Sequence, residues 1–487
     1  MSQWQNAHFQ TAYRLSKIVI MRYFPFFLVL TPTVVAAAPL VVPNNPPADL
    51  NREQVLQTEQ AVEPLPKAES DAPKSMTKEE LLQQPELLHS AMNIALEQVN
   101  GRTIRFLLPL YRQLSDADSA IIRYAEALIL REDGNYRQAE QALSALAAEY
   151  PDHAPLRLQQ ALTLAQDKQF NEAAAQIEAV RQMPDVPESV QQYLNGFDAA
   201  LKQGRQWQFY GNAYYQQDDN IAKVPKQRQY GNWHFAEPQS AHGIAYSAAA
   251  YKAVPIKGHW AARVQASVYG SFYWDAHEYD DLIARAETGP MWRDAAQEIS
   301  ISPFYEKRWF GTEPYYDKIG GVARYSRILS PKWQLFGAWQ SGHKKYRQRT
   351  FLDGGSHSAS LSTLYRPSEK RTFVFGIGGG WENAKDLSDA YRQSNARISW
   401  NENWGRQQNF STTLETSVQH RRYRSADIFN IQRQETEYAA QLSLSHKKIA
   451  YKGFTPRLNA AYSAVDGNHF YYRRHQSKVF IDIGKQF

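Results

Sequence analysis

The sequence has no cysteine among its 487 residues. That absence removes disulfides, thiolate metal ligands and thiol nucleophiles, and with them the acylated cysteine of a bacterial lipoprotein. No apolar run reaches the roughly 18 residues that a membrane-spanning helix requires. There is no Gly-x-Ser-x-Gly elbow, and His242, His259, His343 and His357 are too dispersed to gather around a metal. Gly376-Ile-Gly-Gly-Gly-Trp381 superficially resembles a phosphate loop. It lies inside a β-periodic stretch with no helix after it, so glycine kinks in a curved wall account for it better. Asp218-Asp219-Asn220 lacks the calcium-loop pattern and reads as a solvated turn. These absences argue against an enzyme and leave no residues for a cofactor or a metal. A one-signed charge is missing too. The net charge is +6, but acidic residues prevail from Pro39 to Gly204 and basic ones after it. The basic side chains are scattered among Tyr, Ser and Gln on β-periodic segments, which argues against nucleic acid.

What is abundant is aromatic: 13% of residues, with 29 Tyr and 12 Trp, mostly after residue 204. There the hydrophobic period is two. In the stretch Trp260–Trp274, the residues Trp260, Ala262, Val264, Ala266, Val268, Gly270, Phe272 and Trp274 alternate with Ala261, Arg263, Gln265, Ser267, Tyr269, Ser271 and Tyr273. A strand with those positions has one apolar face with aromatic ends and one polar face. It is too long for an average sandwich strand of about 5–6 residues, and it suits a membrane barrel, whose strands cross in about 9–11 residues between aromatic girdles. A mean hydropathy of −0.59 does not oppose this, because half of each barrel strand faces a polar lumen.

About fourteen such segments follow, starting near Trp207, His242, His259, Leu282, Glu298, Tyr315, Trp333, Gly355, Arg371, Tyr391, Phe410, Gln432, Phe454 and Phe470. An even count is what a bacterial barrel needs. The connections at 254–258, 329–332, 367–370 and 405–407 are short. Those at 218–241, 344–354, 383–390 and 422–431 are mostly longer and polar, as periplasmic turns and outer loops should be. The polar faces carry Arg263, Gln265, Tyr269, Gln393, Asn395, Arg397, Glu415, Gln419, Gln441, Arg457 and Asn459. This lining suits either a hydrated conduit or charged pairs that brace the interior.

Upstream, Arg14, Lys17 and Arg22 precede an apolar core at Tyr23–Val35 and Ala36-Ala37-Ala38. That reads as an export signal cleaved after Ala38, with Met21 as an alternative start. Residues 39–76 are rich in proline and read as a linker. Helical periodicity starts at Thr77-Lys-Glu-Glu80, a capping box. Ala127, Leu130, Tyr136, Ala139, Leu143 and Leu146 recur 34 residues later as Ala161, Leu164, Phe170, Ala173, Ile177 and Val180, the period of tetratricopeptide repeats. The tryptophan position of that pattern holds Arg123 and Arg157. Helices around Leu81–Val99 and Ile104–Leu114 make a degenerate first unit, and Val190–Lys202 a closing helix. Tyr124, Leu128, Arg131, Leu158 and Leu162 would face the groove of such repeats, which serves either as a peptide-binding site or as a docking spacer.

The expected fold is therefore α + β and multidomain: a signal peptide over 1–38, a linker over 39–76, a tetratricopeptide helical domain over 77–204, and an antiparallel transmembrane β-barrel of about fourteen strands over 205–487. This layout, with the 34-residue repeat and Asp218-Asp-Asn-Ile221 at the end of the first strand, resembles the surface lipoprotein assembly modulator (Slam) family of Gram-negative bacteria. The resemblance covers Thr77 to Phe487. It implies an outer-membrane translocon that delivers lipoproteins of the transferrin-, lactoferrin- or factor-H-binding type to the cell surface. The helices would receive the client or a periplasmic chaperone, and the barrel, seated in outer-membrane lipid, would conduct it. The terminal Val479, Ile481, Ile483 and Phe487 resemble the signal read by the barrel assembly machinery, although Lys485 departs from it. A polysaccharide-export porin is the rival reading, and it calls for a lumen of one charge sign.

Overall fold

The computed structural model describes residues 77–184, 186, 188–225 and 227–486. The export signal, the cleavage point, the linker and Phe487 lie outside these residues. The chain forms two compact units, a helical one ending at Arg205 and a barrel beginning at Gln206.

The helical unit contains α1 (Lys78–Leu82), α2 (Pro85–Glu97), α3 (Gly101–Tyr111), α4 (Ser119–Glu132), α5 (Tyr136–Glu149), α6 (Ala154–Gln166), α7 (Phe170–Arg181) and α8 (Glu188–Gln203). The capping box opens α1: the Glu80 amide donates to the Thr77 hydroxyl, and the Thr77 amide donates to the Glu80 carboxylate. The 34-residue repeat corresponds to α4–α5 and α6–α7. Ala127, Ala139, Ala161 and Ala173 are fully buried. Small side chains there let paired helices approach closely, and a larger one would overpack the contact.

The first helix of each pair ends in the same way. Asn135 N–H donates to Leu130 O, and Gln169 N–H to Leu164 O, both at 2.8 Å. The preceding residues, Gly134 (φ +78°) and Lys168 (φ +64°), are left-handed, which closes a helix by satisfying its last carbonyls. The α2–α3 junction repeats this device, with Val99 at φ +50° and Asn100 N–H on Ala95 O at 2.9 Å. The degenerate unit thus keeps the turn of its siblings without their sequence.

The second unit is a closed barrel of fourteen antiparallel strands. In chain order they are β1 (Gln208–Asp218), then, after a two-strand hairpin of β2 (Gln229–Tyr230) and β3 (Trp233–His234), β4 (Ala241–Lys257), β5 (Trp260–Tyr273), β6 (Asp281–Arg293), β7 (Gln297–Phe310), β8 (Glu313–Ser330), β9 (Trp333–Tyr346), β10 (Gly354–Ser368), β11 (Arg371–Glu382), β12 (Tyr391–Trp404), β13 (Phe410–Ala426), β14 (Gln432–His446), β15 (Thr455–Gly467) and β16 (Arg474–Gln486). Neighbours in sequence pair with one another, and β1 closes the ring against both β4 and β16.

Thirteen strands start within two residues of the positions read from the sequence. The exception is Phe470. Residues Phe470–Tyr472 form a 3-10 turn, and β16 begins at Arg474. The aromatic run there packs into a rim cluster rather than along the wall. Connections at the rim where β1 begins are mostly short, but those at 405–409 and 447–454 are not. At the far rim the β7–β8 connection is only Gly311 and Thr312, both with positive φ. That is the backbone of a two-residue hairpin turn matched to strand twist.

Among the described residues no helix is long and apolar enough to cross a membrane; the strands supply the apolar band instead. Trp260, Val268, Phe272, Ile299, Ile301, Ile319, Trp339, Ile377, Ile398, Leu414 and Leu442 are all exposed on one face of their strands.

Candidate functional site: the barrel lumen

Alternation sends one set of side chains from every strand into the enclosed interior. On β5 these include Arg263, Gln265 and Tyr269, as the sequence pattern requires, while Trp260, Val268 and Phe272 face outward. Gln393, Asn395 and Arg397 (β12), Glu415 and Gln419 (β13), Gln441 (β14) and Arg457 and Asn459 (β15) all share the inward face of their strands. Most of them fall into three groups rather than one, while Glu415 lies opposite Gln441 and Gln419 opposite Asn395 in register.

The first group is centred on Glu287 of β6, whose side chain is 2% exposed. It faces Arg263 at 3.5 Å, Arg285 at 3.1 Å and Arg324 at 2.8 Å. Arg263 also reaches Glu298 at 3.4 Å and donates to Gln265 Oε1 at 2.7 Å. Its guanidinium stands 4.8 Å from the Tyr251 ring. Arg285 stacks 3.8 Å over Phe304 and donates to Gln340 at 2.8 Å. One carboxylate therefore ties three cations on different strands, an arrangement that keeps buried charges compensated.

The second group spans β13, β14, β15, β16 and β1. Glu435 lies 3.5 Å from Arg421 and 3.2 Å from Arg433. Gln441 donates to Asn459 Oδ1 at 3.1 Å, and Ser443 donates to the same oxygen at 2.5 Å. Asp482, fully buried, accepts two hydrogen bonds from Arg457 at 2.8 and 2.7 Å and a third from Asn212 at 3.2 Å. Both Arg–carboxylate oxygens are engaged, the geometry that gives such pairs their strength.

The third group explains the glycine run. Gly376, Gly378 and Gly380 on β11 lie opposite Arg397, Asn395 and Gln393 in register. A Cβ on Gly376 would stand 2.8 Å from Arg397 Nε and 2.9 Å from Ser362 Oγ, and one on Gly378 would stand 2.9 Å from Asn395 Oδ1. The glycines make room for the longer polar side chains of β12, and Arg397 in turn donates to Ser362 at 3.4 Å. This is a packing role beside the bending role expected from the sequence.

Sequence reading missed the residues at the heart of the first two groups: Glu287, Arg285, Arg324, Asp482 and Asn212. A signal was present in part, since Arg285 and Glu287 are opposite charges two apart, hence on one face of a strand. The partners from other strands need the register.

The far rim carries an aromatic cluster. Tyr230 of the β2–β3 hairpin stacks on Phe470 with centroids 4.0 Å apart and meets Phe429 edge-on at 5.7 Å. Trp233 also meets Phe429, and Phe235 meets Phe470 and Tyr471. The tetrapeptide Asp218–Ile221 anchors this loop. Asn220 N–H donates to Asp218, the Asn220 side chain brackets Val224, and Ile221 is buried against Ala241, Tyr273 and Ala276. Its role in the fold is a turn, and among the described residues no group of three His, Asp or Glu could hold a metal.

In the helical unit the expected groove set divides. Tyr124 and Leu128 are 8% and 2% exposed and belong to the core with Ile121, Ala125 and Leu143. Buried in that cluster, they are not open to a ligand, and burial raises the pKa of the Tyr124 hydroxyl to about 12. Arg131, Leu158 and Leu162 remain half-buried, and Arg131 donates to Gln159. Of the terminal barrel signal, Val479, Ile481 and Ile483 all face outward, 75%, 59% and 50% exposed.

Two family models match this chain. Residues 207–487 fit that of the surface lipoprotein assembly modifiers, and residues 74–177 fit that of their N-terminal tetratricopeptide repeats. Surface lipoprotein assembly modifier 1 of Haemophilus influenzae is 32% identical over 85% of this chain and 87% of its own length. Its namesake from Neisseria meningitidis is 26% identical over 84% of each chain. The hemophilin secretion modulator of Acinetobacter baumannii is 23% identical over 79% of this chain and 82% of its own.

Proposed function

Since the chain belongs to the surface lipoprotein assembly modifier family, an outer-membrane assembly and transport family built on a barrel, we propose that it carries lipoprotein clients to the cell surface. The helical repeats stand in the periplasm and receive an unfolded client or its chaperone. The barrel then conducts the client outward. Clients of the transferrin-, lactoferrin- or factor-H-binding type suit this role.

The observation that carries the reading is the charge pattern of the lumen. Acidic and basic side chains are interleaved, with Arg263, Glu287, Arg324, Glu298, Arg457 and Asp482 each in an opposite-sign pair. A polyanion would want a lumen of one sign, whereas a polypeptide of mixed charge is not repelled by this one. Transport needs a direction. Client folding outside the membrane, worth roughly 5–15 kcal/mol, supplies one without a nucleotide.

The test is surface labelling of lipoproteins in cells with and without this chain, together with cells that carry the barrel alone. Loss of one or a few lipoproteins from the surface, with their total amount unchanged, is the expected result. Unchanged display of every lipoprotein would overturn the reading. Full display with the barrel alone would remove the receptor role of the helices and leave the conduit.

A further inference from the structure

The wall of the barrel is not uniformly joined. β1 pairs with β4 along its whole length, from Gln208 opposite Tyr251 to Asp218 opposite Ala241. Against β16 it pairs only from Tyr210 opposite Gln486 to Tyr214 opposite Asp482. Continued in the same register, Tyr215–Asp218 would meet Lys478–Ile481, but no ladder joins them. On its other edge β16 is paired throughout this stretch, with Ile481 opposite Leu458 and Arg474 opposite Val465. The other described joints are far longer; β12 meets β13 in fourteen residue pairs and β13 meets β14 in as many.

The unpaired stretch has a definite upper and lower limit. At its lower end stand the last ladder pair and the buried Asp482, which holds Arg457 of β15 and Asn212 of β1. Just inside, the Tyr214 and Phe480 rings lie 4.6 Å apart. At its upper end the loop that follows β1 is held to the turn that precedes β16, by Tyr230 on Phe470 and Phe235 on Tyr471. The gap is therefore closed at both ends and lacks backbone hydrogen bonds between them. Its outward face is apolar, with Val479 and Ile481 among the most exposed hydrophobic side chains of the described residues. In hydrocarbon an unpaired strand edge is strongly unfavourable, so persistence of this one asks for a use.

Resting on the function proposed above, we propose that this half-joint is a lateral outlet through which the acyl chains of a lipoprotein client pass from the lumen into the outer leaflet. A lipoprotein has two parts with opposite needs. Its polypeptide suits a lumen lined by Arg, Glu and Gln, while each methylene of its lipid anchor is penalised there. The anchor's destination is the outer leaflet, which surrounds the half of the wall nearer the far rim, and that is where the ladder is missing. Neighbouring paired strands stand about 4.7–4.9 Å apart, a spacing that their own backbones fill. An acyl chain therefore passes only where two strands part by about its own width, and a stretch with no ladder hydrogen bonds to break parts at lower cost than a fully paired one. The clasp at Asp482 keeps the inner-leaflet half shut.

The absence of cysteine from the sequence makes a direct test available. Gln217→Cys with Val479→Cys places two thiols across the gap on its outward face. Oxidation, or a short bis-maleimide where the gap exceeds disulfide reach, bridges them. Folding is verified by heat-modifiable gel mobility, with the reduced double variant and each labelled single variant as references. The full chain is expressed with a client found by the surface-labelling experiment, in its acylated form and with its acylated cysteine replaced by serine. Bridging is expected to lower display of the acylated client at least tenfold and to change outward release of the unacylated one by less than twofold. Equal display of the acylated client with and without the bridge overturns the outlet. An equal loss of both forms also overturns it, because the edge then serves the polypeptide. If neither form depends on the chain at all, the transport reading itself fails.

Discussion

Replacing Glu287 by glutamine removes the charge on which three arginines converge and changes little in size. The contacts are at 3.5, 3.1 and 2.8 Å. At an effective dielectric near 20, unit charges about 4 Å apart interact by about 4 kcal/mol. The three attractions are opposed by desolvation and by repulsion among the arginines, so their sum is not the net effect. Removing one partner of a buried pair costs about 3–5 kcal/mol, because the stranded charge stays buried. Arg263 keeps Glu298 and Gln265, and Arg285 keeps Gln340; Arg324 is the arginine bound to Glu287 at the shortest distance. We therefore expect Glu287→Gln to lower barrel stability by about 3 kcal/mol or more. Guanidinium unfolding in lipid vesicles, followed by tryptophan fluorescence, measures it. The second substitution is diagnostic: Arg324→Met in the Glu287→Gln background should restore a good part of the loss, although in the native protein it destabilises. Additive losses in the double variant would refute the account of Glu287 as the counter-ion of a buried cluster.

Val268→Arg, on the outward face of β5, should cost about 2–4 kcal/mol in the same vesicles, while Gln265→Arg, on the lumen face, should cost much less; equal costs would reverse the assignment of faces. Lys168→Gly should stabilise the helical unit by up to about 1 kcal/mol, because Lys168 holds a left-handed conformation that Gly134 occupies in the preceding repeat; thermal melts at 222 nm read this. His153 caps α6, and burial pushes its imidazole down to about 4 from an ordinary 6.5. Below about pH 6.5 the unfolded chain takes a proton that the folded chain refuses. Stability should therefore fall from pH 6.5 toward 4, and His153→Gln should flatten that slope in melts across the range.

Much of this architecture is legible in the residues, for reasons that differ by element. A repeat of 34 residues shows itself because the same small and aromatic positions must lock each helix pair, and all but Leu130 and Tyr136 of the twelve matched positions are buried. Strand starts are legible because period-two alternation begins and ends sharply at polar turns. Phe470 misled because a rim cluster of aromatic residues has the same composition as a strand end. Tyr124 and Leu128 misled for a related reason: the inner face of a repeat and its groove are adjacent stripes on one helix, and composition alone does not separate them. Asp482 and Asn212 are 270 residues apart in sequence, and only closure of the ring brings them together. The half-length joint was invisible for the same reason, since nothing within β1 or β16 states how far one runs against the other.

The self-paired lining has a kinetic meaning as well. A chain threading a pore diffuses over an energy profile, and each deep well along it multiplies the dwell time exponentially. A row of uncompensated arginines would seize every aspartate or glutamate that passed. Here Glu287, Glu435 and Asp482 already occupy the guanidinium groups around them, so a passing side chain gains little by stopping. Under the transport role proposed above, such an interior offers low friction to a threading polypeptide whatever its sequence, and one barrel would then serve clients that share no sequence with each other.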